Sequence, residues 1–244
     1  MNCYDALAPW YDSLTGDVPY SAIADFYEAE FAADGGEFRL LLDLCCGTGS
    51  MTWELAGRGY EMIAADRSVE MLMQAQAKQL PCKTPPLFLC QRAEDLDLYG
   101  TVDAAVCCLD GFNYISLDSL EEVFRRLHLF VRPGGLLLFD IRTPDFLRSL
   151  DGQVFVDEKE DVLCLWRADF DEKLGGLVYG MDLFTRRGRL WERSGEEHTE
   201  YAHEPEALKL LLEKTGFENV RLREDGPQGG AGRLYIIAGR KEHG

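Results

Sequence analysis

Short, almost unbroken apolar runs recur along the chain, each closed by a polar or glycine-bearing turn. They lie at 40–46, 60–65, 87–90, 102–109 and 136–139. Runs of this length without polar alternation read as parallel strands covered on both faces. Helical spacing fills the gaps between them. Ser68 is placed to cap a helix with Val69, Leu72 and Met73 on one face, ending before Pro81. Ser119 and Glu122 form a capping-box pattern opening a helix that carries Leu120, Val123, Phe124, Leu127 and Val131 on one stripe. Arg132-Pro133-Gly134-Gly135 is expected to end that helix and turn into the next strand. Strand and helix alternating at this length predict βαβ units and an α/β, doubly wound, mostly parallel sheet.

The pattern differs at two places. Residues 1–36 read as helical, rich in aromatic side chains and stopped by Asp34-Gly35-Gly36. From 154 to 201 the period drops to two, with Val162, Cys164, Trp166, Ala168 and Phe170 on one face. Lys173-Leu174-Gly175-Gly176 and Arg187-Gly188 occupy turn positions there, which predicts antiparallel strands. A helix follows from Pro205, with Leu208, Leu211 and Leu212 on its face and Gly216 beyond it. Strands around 217–223 and 233–238 complete the chain. The expected organisation is therefore a helical cover (1–36), an α/β domain (37–152 and 202–244) and an antiparallel insertion (153–201). We expect the insertion to act as a lid, as a wall of an acceptor pocket, or as the surface of a homodimer.

Composition narrows the chemistry. The 244 residues carry 25 Lys and Arg against 43 Asp and Glu, a formal net charge of −18. That field repels phosphates, which disfavours nucleic acid and anionic membrane surfaces as partners. No apolar run reaches the ~18–20 residues of a membrane span. The start of the chain lacks the basic and apolar regions of a secretion signal, so a cytoplasmic location is expected. The eight cysteines (3, 45, 46, 82, 90, 107, 108 and 164) include no C-x-x-C pair. The vicinal pairs Cys45-Cys46 and Cys107-Cys108 lie at strand ends, where neighbours point to opposite faces, so neither pair readily chelates a metal. Reduced, packed thiols and no metal site are expected.

The sharpest feature is Asp43-Leu44-Cys45-Cys46-Gly47-Thr48-Gly49-Ser50, which leads from the first strand into a helix. Its glycines permit a tight turn and close approach to a ligand. A dinucleotide fingerprint would place a third glycine where Thr52 stands, and a pyrophosphate would lie near the carboxylate of Asp43. Both points count against a nicotinamide oxidoreductase, and Asp43 suits a ligand carrying positive charge. Asp66 closes the second strand at roughly the 20-residue spacing at which a carboxylate meets ribose hydroxyls. Arg92-Ala93-Glu94-Asp95-Leu96 closes the third, where an adenine ring would lie.

With these residues in hand, the chain resembles the class I S-adenosylmethionine-dependent methyltransferases over most of its length. Asp43 to Gly49 looks like their first motif, Asp66 like the ribose-binding acid, and Ala93-Glu94-Asp95-Leu96 like the adenine-side motif. Residues 103–115 are similar to the fourth-strand motif, and Arg132 to Asp140 to the glycine turn into the fifth strand. Cys45 stands where the family often has glycine or alanine. The opening Tyr4-Asp-Ala-Leu-Ala-Pro-Trp-Tyr11-Asp12, followed by Asp17-Val-Pro-Tyr20, looks like bacterial members acting on small molecules, including amino-sugar N-methyltransferases. The resemblance implies a Rossmann-like, seven-stranded, mostly parallel sheet with an antiparallel β insertion before its last two strands. It implies S-adenosyl-L-methionine as cofactor, held by Tyr11, Tyr20, Asp43, Cys45, Gly47, Thr48 and Gly49. Further contacts are implied at Asp66, Arg67, Met71, Glu94, Asp95, Leu96 and Leu109.

The implied reaction is in-line transfer of a methyl group from a sulfonium to a nitrogen or oxygen of a small-molecule acceptor. Positioning and desolvation then dominate, and a base is needed only where the acceptor must lose a proton. Tyr11, Asp110 and Asn113 are the catalytic candidates, the last two because they follow the fourth strand at the ligand crevice. His198 and His203 flank Tyr201, where they could face an acceptor, but are expected at the surface; His128 lies in the polar end of a helix and His243 in the tail. Arg186, Arg187 and Arg189 form the local basic cluster, expected to be solvated. A non-catalytic module that binds S-adenosylmethionine is the remaining alternative.

Overall fold

The computed structural model describes residues 6–227 and 232–241; Cys3, Tyr4 and His243 lie outside them. The chain opens with α1 (Tyr11–Leu14) and α2 (Tyr20–Asp34), the latter closed by Gly35 in the left-handed conformation. Five strands follow with helices between them: β1 (Leu40–Leu44), α3 (Ser50–Gly57), β2 (Glu61–Asp66), α4 (Val69–Lys78), β3 (Leu87–Cys90), β4 (Val102–Cys107), α5 (Leu117–Phe130) and β5 (Val131–Arg142). Then come α6 (Pro144–Ser149), the strands β6 (Gln153–Lys159), β7 (Val162–Asp171), β8 (Gly176–Arg187) and β9 (Leu190–Tyr201), and finally α7 (Pro205–Lys214), β10 (Phe217–Arg223) and β11 (Arg233–Arg240).

The seven-stranded sheet has the order β10-β11-β5-β4-β1-β2-β3. Strands β3, β2, β1, β4 and β5 run parallel, and β11 pairs antiparallel with both β5 and β10. The Rossmann-like α/β expectation therefore holds. Burial on both faces explains why β1 is apolar at every position except Asp43. Leu42 and Leu44 join a core with Leu120, Phe124 and Leu127 of α5 and Leu208 and Leu212 of α7. Leu41 points the other way, into a core with Tyr27 and Phe31 of α2 and Leu55 of α3.

Two local readings are corrected. Helix α5 begins at Leu117 with Ser116 at its N-cap, because Ser116 is the last residue with extended dihedrals; Ser119 lies inside the first turn, its hydroxyl 3.1 Å from that of Ser116. Arg132-Pro133-Gly134-Gly135 is not a turn ahead of the fifth strand but part of β5, where the register against β4 shifts. A Cβ on Gly135 would stand 2.4 Å from the carbonyl oxygen of Asp103, so only glycine lets the two backbones pass this closely. The Asp103 carboxylate knits three strands here, accepting the N–H groups of Arg39 and Leu40 and an ion pair from Arg132.

Strands β6 to β9 form a separate antiparallel sheet in sequential order. Its apolar face, including Val162, Cys164, Met181 and Leu183, packs on Leu7 and, at its edge, Trp10 and Tyr11. Further along, Ala168, Leu177 and Tyr179 pack on Leu147 of α6. The alternating face is thus covered by the chain's own N-terminal segment, while Val154 and Val156 of β6 stay exposed. Among the described residues no helix is long and apolar enough to cross a membrane, and no cluster is suited to hold a metal. All seven described cysteines are free thiols.

Candidate active site

The carboxyl ends of β1, β2 and β4 meet one cavity of ≈ 250 Å³. The loop leaving β1 turns sharply into α3, with φ of 58° at Cys45, 53° at Gly47 and 70° at Gly49. Gly47 lines the cavity, and nothing lies within 4 Å of where its Cβ would stand, so the backbone offers an open cradle there. Asp66 at the end of β2 holds that loop: its Oδ2 accepts the Gly47 N–H at 2.8 Å and its Oδ1 the Ser68 N–H at 2.9 Å. Ser68 in turn caps α4 by accepting the Met71 N–H. Burial raises the Asp66 carboxyl above the usual range, against these hydrogen bonds.

Two distant segments complete the walls. Tyr11 and Tyr20 enter from the N-terminal helices, and Glu197, Thr199 and Tyr201 from β9. Burial pushes both tyrosine phenols well up, so they remain protonated hydrogen-bond donors. Asp12 ties the N-terminal helices to the glycine loop: its Oδ1 accepts the Thr48 hydroxyl at 2.6 Å, and its Oδ2 pairs with Lys78 of α4 at 2.8 Å. At the other side the backbone N–H groups of Ala6 and Leu7 donate to Glu196 of β9.

Of the residues singled out from the sequence, Tyr11, Tyr20, Cys45, Gly47, Thr48, Asp66, Arg67, Met71, Glu94 and Leu109 all line this one cavity. Asp43, Gly49, Asp95, Leu96, Asp110 and Asn113 are not among its lining residues. Asp43 is fully buried behind the loop, where its Oδ2 accepts the Thr52 hydroxyl at 2.5 Å. Burial pushes its carboxyl up to about 7. Gly49 packs its backbone against Ala75 and Phe88. Asp95 faces outward and pairs loosely with Arg92, and Leu96 is part of the core. Asn113 is consumed by backbone groups: its amide donates to the carbonyls of Arg142 and Tyr201, and its oxygen accepts the Arg142 N–H. It joins the loop after β4 to β5 and β9. The helical turn that carries it also places Tyr114 and, beyond it, Ile115 on the cavity wall, neither singled out in advance.

Asp110 lies in a buried charge network. Arg233 pairs with it at 2.6 Å and with Asp140, while Arg142 stands 3.5 Å from Asp110 and 3.7 Å from Glu200 of β9. Burial alone would raise Asp110, but the two guanidiniums outweigh it and hold the carboxyl below its usual range. The histidine expectation is corrected as well. His198 and His203 are both buried. His203 donates Nε2–H to the carbonyls of Phe112 and Ile115, pinning the same loop, and His198 Nε2 lies 3.0 Å from the Glu196 carboxylate.

The arrangement fits a nucleoside-bearing cofactor with a positively charged centre. A carboxylate stands at the end of β2, Met71, Ala93 and Leu109 supply apolar wall, and Gly47 leaves the backbone open to close approach. The family model described as "Methyltransferase domain" matches residues 41–135. The Bacillus subtilis (strain 168) protein YqeM, named as a methyltransferase, is 30% identical over 225 residues, 91% of this chain and 89% of its own length. Among solved structures, an S-adenosylmethionine-dependent methyltransferase from Clostridium acetobutylicum ATCC 824 is 28% identical. It superposes with a TM-score of 0.84 over 98% of this chain and 100% of that one. The sugar N-methyltransferase KedS8 from Streptoalloteichus sp ATCC 53650, 20% identical, shares the fold with a TM-score of 0.82 over 99% of this chain and 94% of its own. With the glycine loop, Asp66 and the strand order already in place, the chain belongs to the class I S-adenosylmethionine-dependent methyltransferase family.

Proposed function

We propose that this methyltransferase acts on a small molecule and places the methyl group on a nitrogen or an oxygen. One observation carries the reading: the acceptor side is walled by three segments far apart in sequence, Tyr11 and Tyr20, Tyr114, and Glu197 to Tyr201 of β9. A recess walled in this way matches a small polar acceptor better than a strand of nucleic acid, and the charge of −18 points the same way. The named activity of KedS8 on a sugar nitrogen, in a protein of the same fold, agrees with it.

S-adenosylmethionine, when bound, supplies an activated methyl group on a sulfonium. The residues suited to hold it are Asp66, the backbone at Gly47, Met71, Glu94 and Leu109. The remaining work of the chain is positional: the tyrosine hydroxyls orient the acceptor, and the N-terminal helices with β9 exclude water. Asp110 and Asn113 act from behind the wall by fixing the loop after β4. Incubation with methyl-labelled S-adenosylmethionine and an extract of the source cells, followed by size fractionation, tests the reading. Label is expected in the low-molecular-mass fraction; label confined to protein or nucleic acid would overturn it.

A further inference from the structure

Behind the cavity wall lies a set of buried charges that does not balance. Asp110, Asp140 and Glu200 are 4%, 0% and 2% exposed, and two guanidiniums, Arg142 and Arg233, face them. Three carboxyls against two cations leave one carboxyl in excess, and a buried unpaired charge is costly. Asp110 is paired to both arginines. Asp140 accepts the N–H groups of Leu109 and Asp110 besides its pairing with Arg233. Glu200 is served least: Arg142 is 3.7 Å from its Oε2, and that oxygen has no hydrogen bond among the described residues. Its other oxygen accepts the hydroxyl of Tyr114 at 3.1 Å. Tyr114 is also a wall of the cavity, so the excess carboxyl sits one hydroxyl away from the acceptor space.

We propose that Tyr114 and Glu200 form a proton relay, in which the acceptor's departing proton is taken up by Glu200 through the Tyr114 hydroxyl. The inference rests on the reading that this cavity holds a small-molecule acceptor. It adds that the acceptor's nucleophilic atom carries a proton which it must lose, as an ammonium or a hydroxyl does. The acceptor's X–H proton passes to Tyr114 Oη while the Tyr114 hydroxyl proton passes to Glu200 Oε1. The bonding pair left on X takes the methyl group, and Glu200 later returns its proton to solvent. Tyr114 is the group in contact with the acceptor, and Glu200 is a positioning residue that acts through it. The groups facing Glu200 are Tyr114, Asp110, Arg142 and Arg233, with Tyr179 of β8 bonded to Arg142 at 3.0 Å. Burial and the charge of Asp110 push Glu200 up to about 7, against the pull of Arg142 and the Tyr114 hydroxyl. A carboxyl placed there is half ready to accept a proton at neutral pH.

The relay is tested first on the protein with S-adenosylhomocysteine, by carbon-13 titration of labelled glutamate carboxyls. One signal is expected to titrate near 7. It should vanish in Glu200→Gln and move to higher pH in Tyr114→Phe, which keeps the ring and removes the hydrogen bond to the charged form. Absence of that signal, or no movement in Tyr114→Phe, overturns the relay. The second arm follows labelled methyl transfer to a panel of small amines and phenols between pH 5.5 and 8.5. Transfer should fall below about pH 7 in the wild type, and Glu200→Gln should lose that inflection. Its kcat should drop about 100-fold with little change in KM. An inflection retained in Glu200→Gln overturns the relay. A panel that the wild type leaves wholly unmethylated counts against the proposed acceptor class, and the carboxyl titration, which needs no acceptor, still decides the relay.

Discussion

Asp66 shows how one side chain joins fold and site. Its two oxygens set the glycine loop and the start of α4 while the carboxylate also faces the cavity. Asp66→Ala should weaken S-adenosylhomocysteine binding at least tenfold in calorimetry, the loss expected for hydrogen bonds to a charged acceptor. It should also lower the melting temperature, because Gly47 and Ser68 lose their acceptor. Asp66→Asn, which keeps one carbonyl oxygen, should lie between the two. Equal affinity in the wild type and Asp66→Ala would remove this residue from the site. The place of Asp66 was legible because strand length and the ~20-residue spacing are local quantities. Asp43 was not: its position in the motif is readable, but the face on which it projects is not. Leu42 and Leu44 turn toward α5 and α7, which leaves Asp43 on the α3 side, bonded to Thr52 and sealed behind the loop.

At the level of elements, the N-terminal segment acts as a strap held at both ends. Asp12 binds Lys78, Thr48 and Ser50 beside the glycine loop, and Ala6 and Leu7 bind Glu196 on the insertion sheet. Tyr11 lies between these two anchors and against the cavity. Lys78→Met should therefore loosen the segment without unfolding the sheet. Hydrogen exchange at residues 6–14 should accelerate about fivefold, the effect of ~1 kcal/mol for a half-exposed ion pair, while the amides of β1 and β4 keep their protection. Uniform exchange changes across the whole chain would contradict a local strap. The cover and Tyr11 were expected from the sequence, but the two anchors were not, since the contact from Ala6 to Glu196 spans 190 residues. The strand-helix alternation that revealed the sheet is a local signal. The meeting of cover, insertion and loop is set by packing between distant apolar faces, as in the cluster of Leu7 with Val162 and Met181. The buried histidines were misplaced for the same reason: His203 becomes a core residue only because two carbonyls of the loop after β4 reach its ring.

For the whole molecule the acid excess and the buried carboxyls act together on stability. Asp43 and Glu200 are each raised to about 7 by burial, and Asp66 and Asp140 are raised as well. A carboxyl with a raised value binds its proton more tightly in the native state than in the unfolded chain. Its contribution is therefore full below the ordinary carboxyl range and is lost as pH climbs through its raised value, about 7 for Asp43 and Glu200. Asp103 and Asp110 work in the opposite sense. Burial would raise them, but the N–H groups and Arg132 around Asp103, and the arginines around Asp110, hold them low. Their contribution disappears only as pH falls below the usual range. Maximum stability should thus lie on the acid side of neutrality, and the melting temperature at about pH 6 should exceed that at about pH 8 by about 5 °C. Repulsion within a surface of net charge −18 favours the same direction. Salt separates the two causes, because about 0.5 M sodium chloride screens exposed charges and leaves buried ones nearly unscreened. The difference between the two pH values should shrink in salt but persist, and Asp43→Asn should reduce what persists by raising the melting temperature at pH 8 alone. A difference that salt abolishes completely would mean that surface repulsion accounts for all of it and that Asp43 ionises inside the fold at no cost.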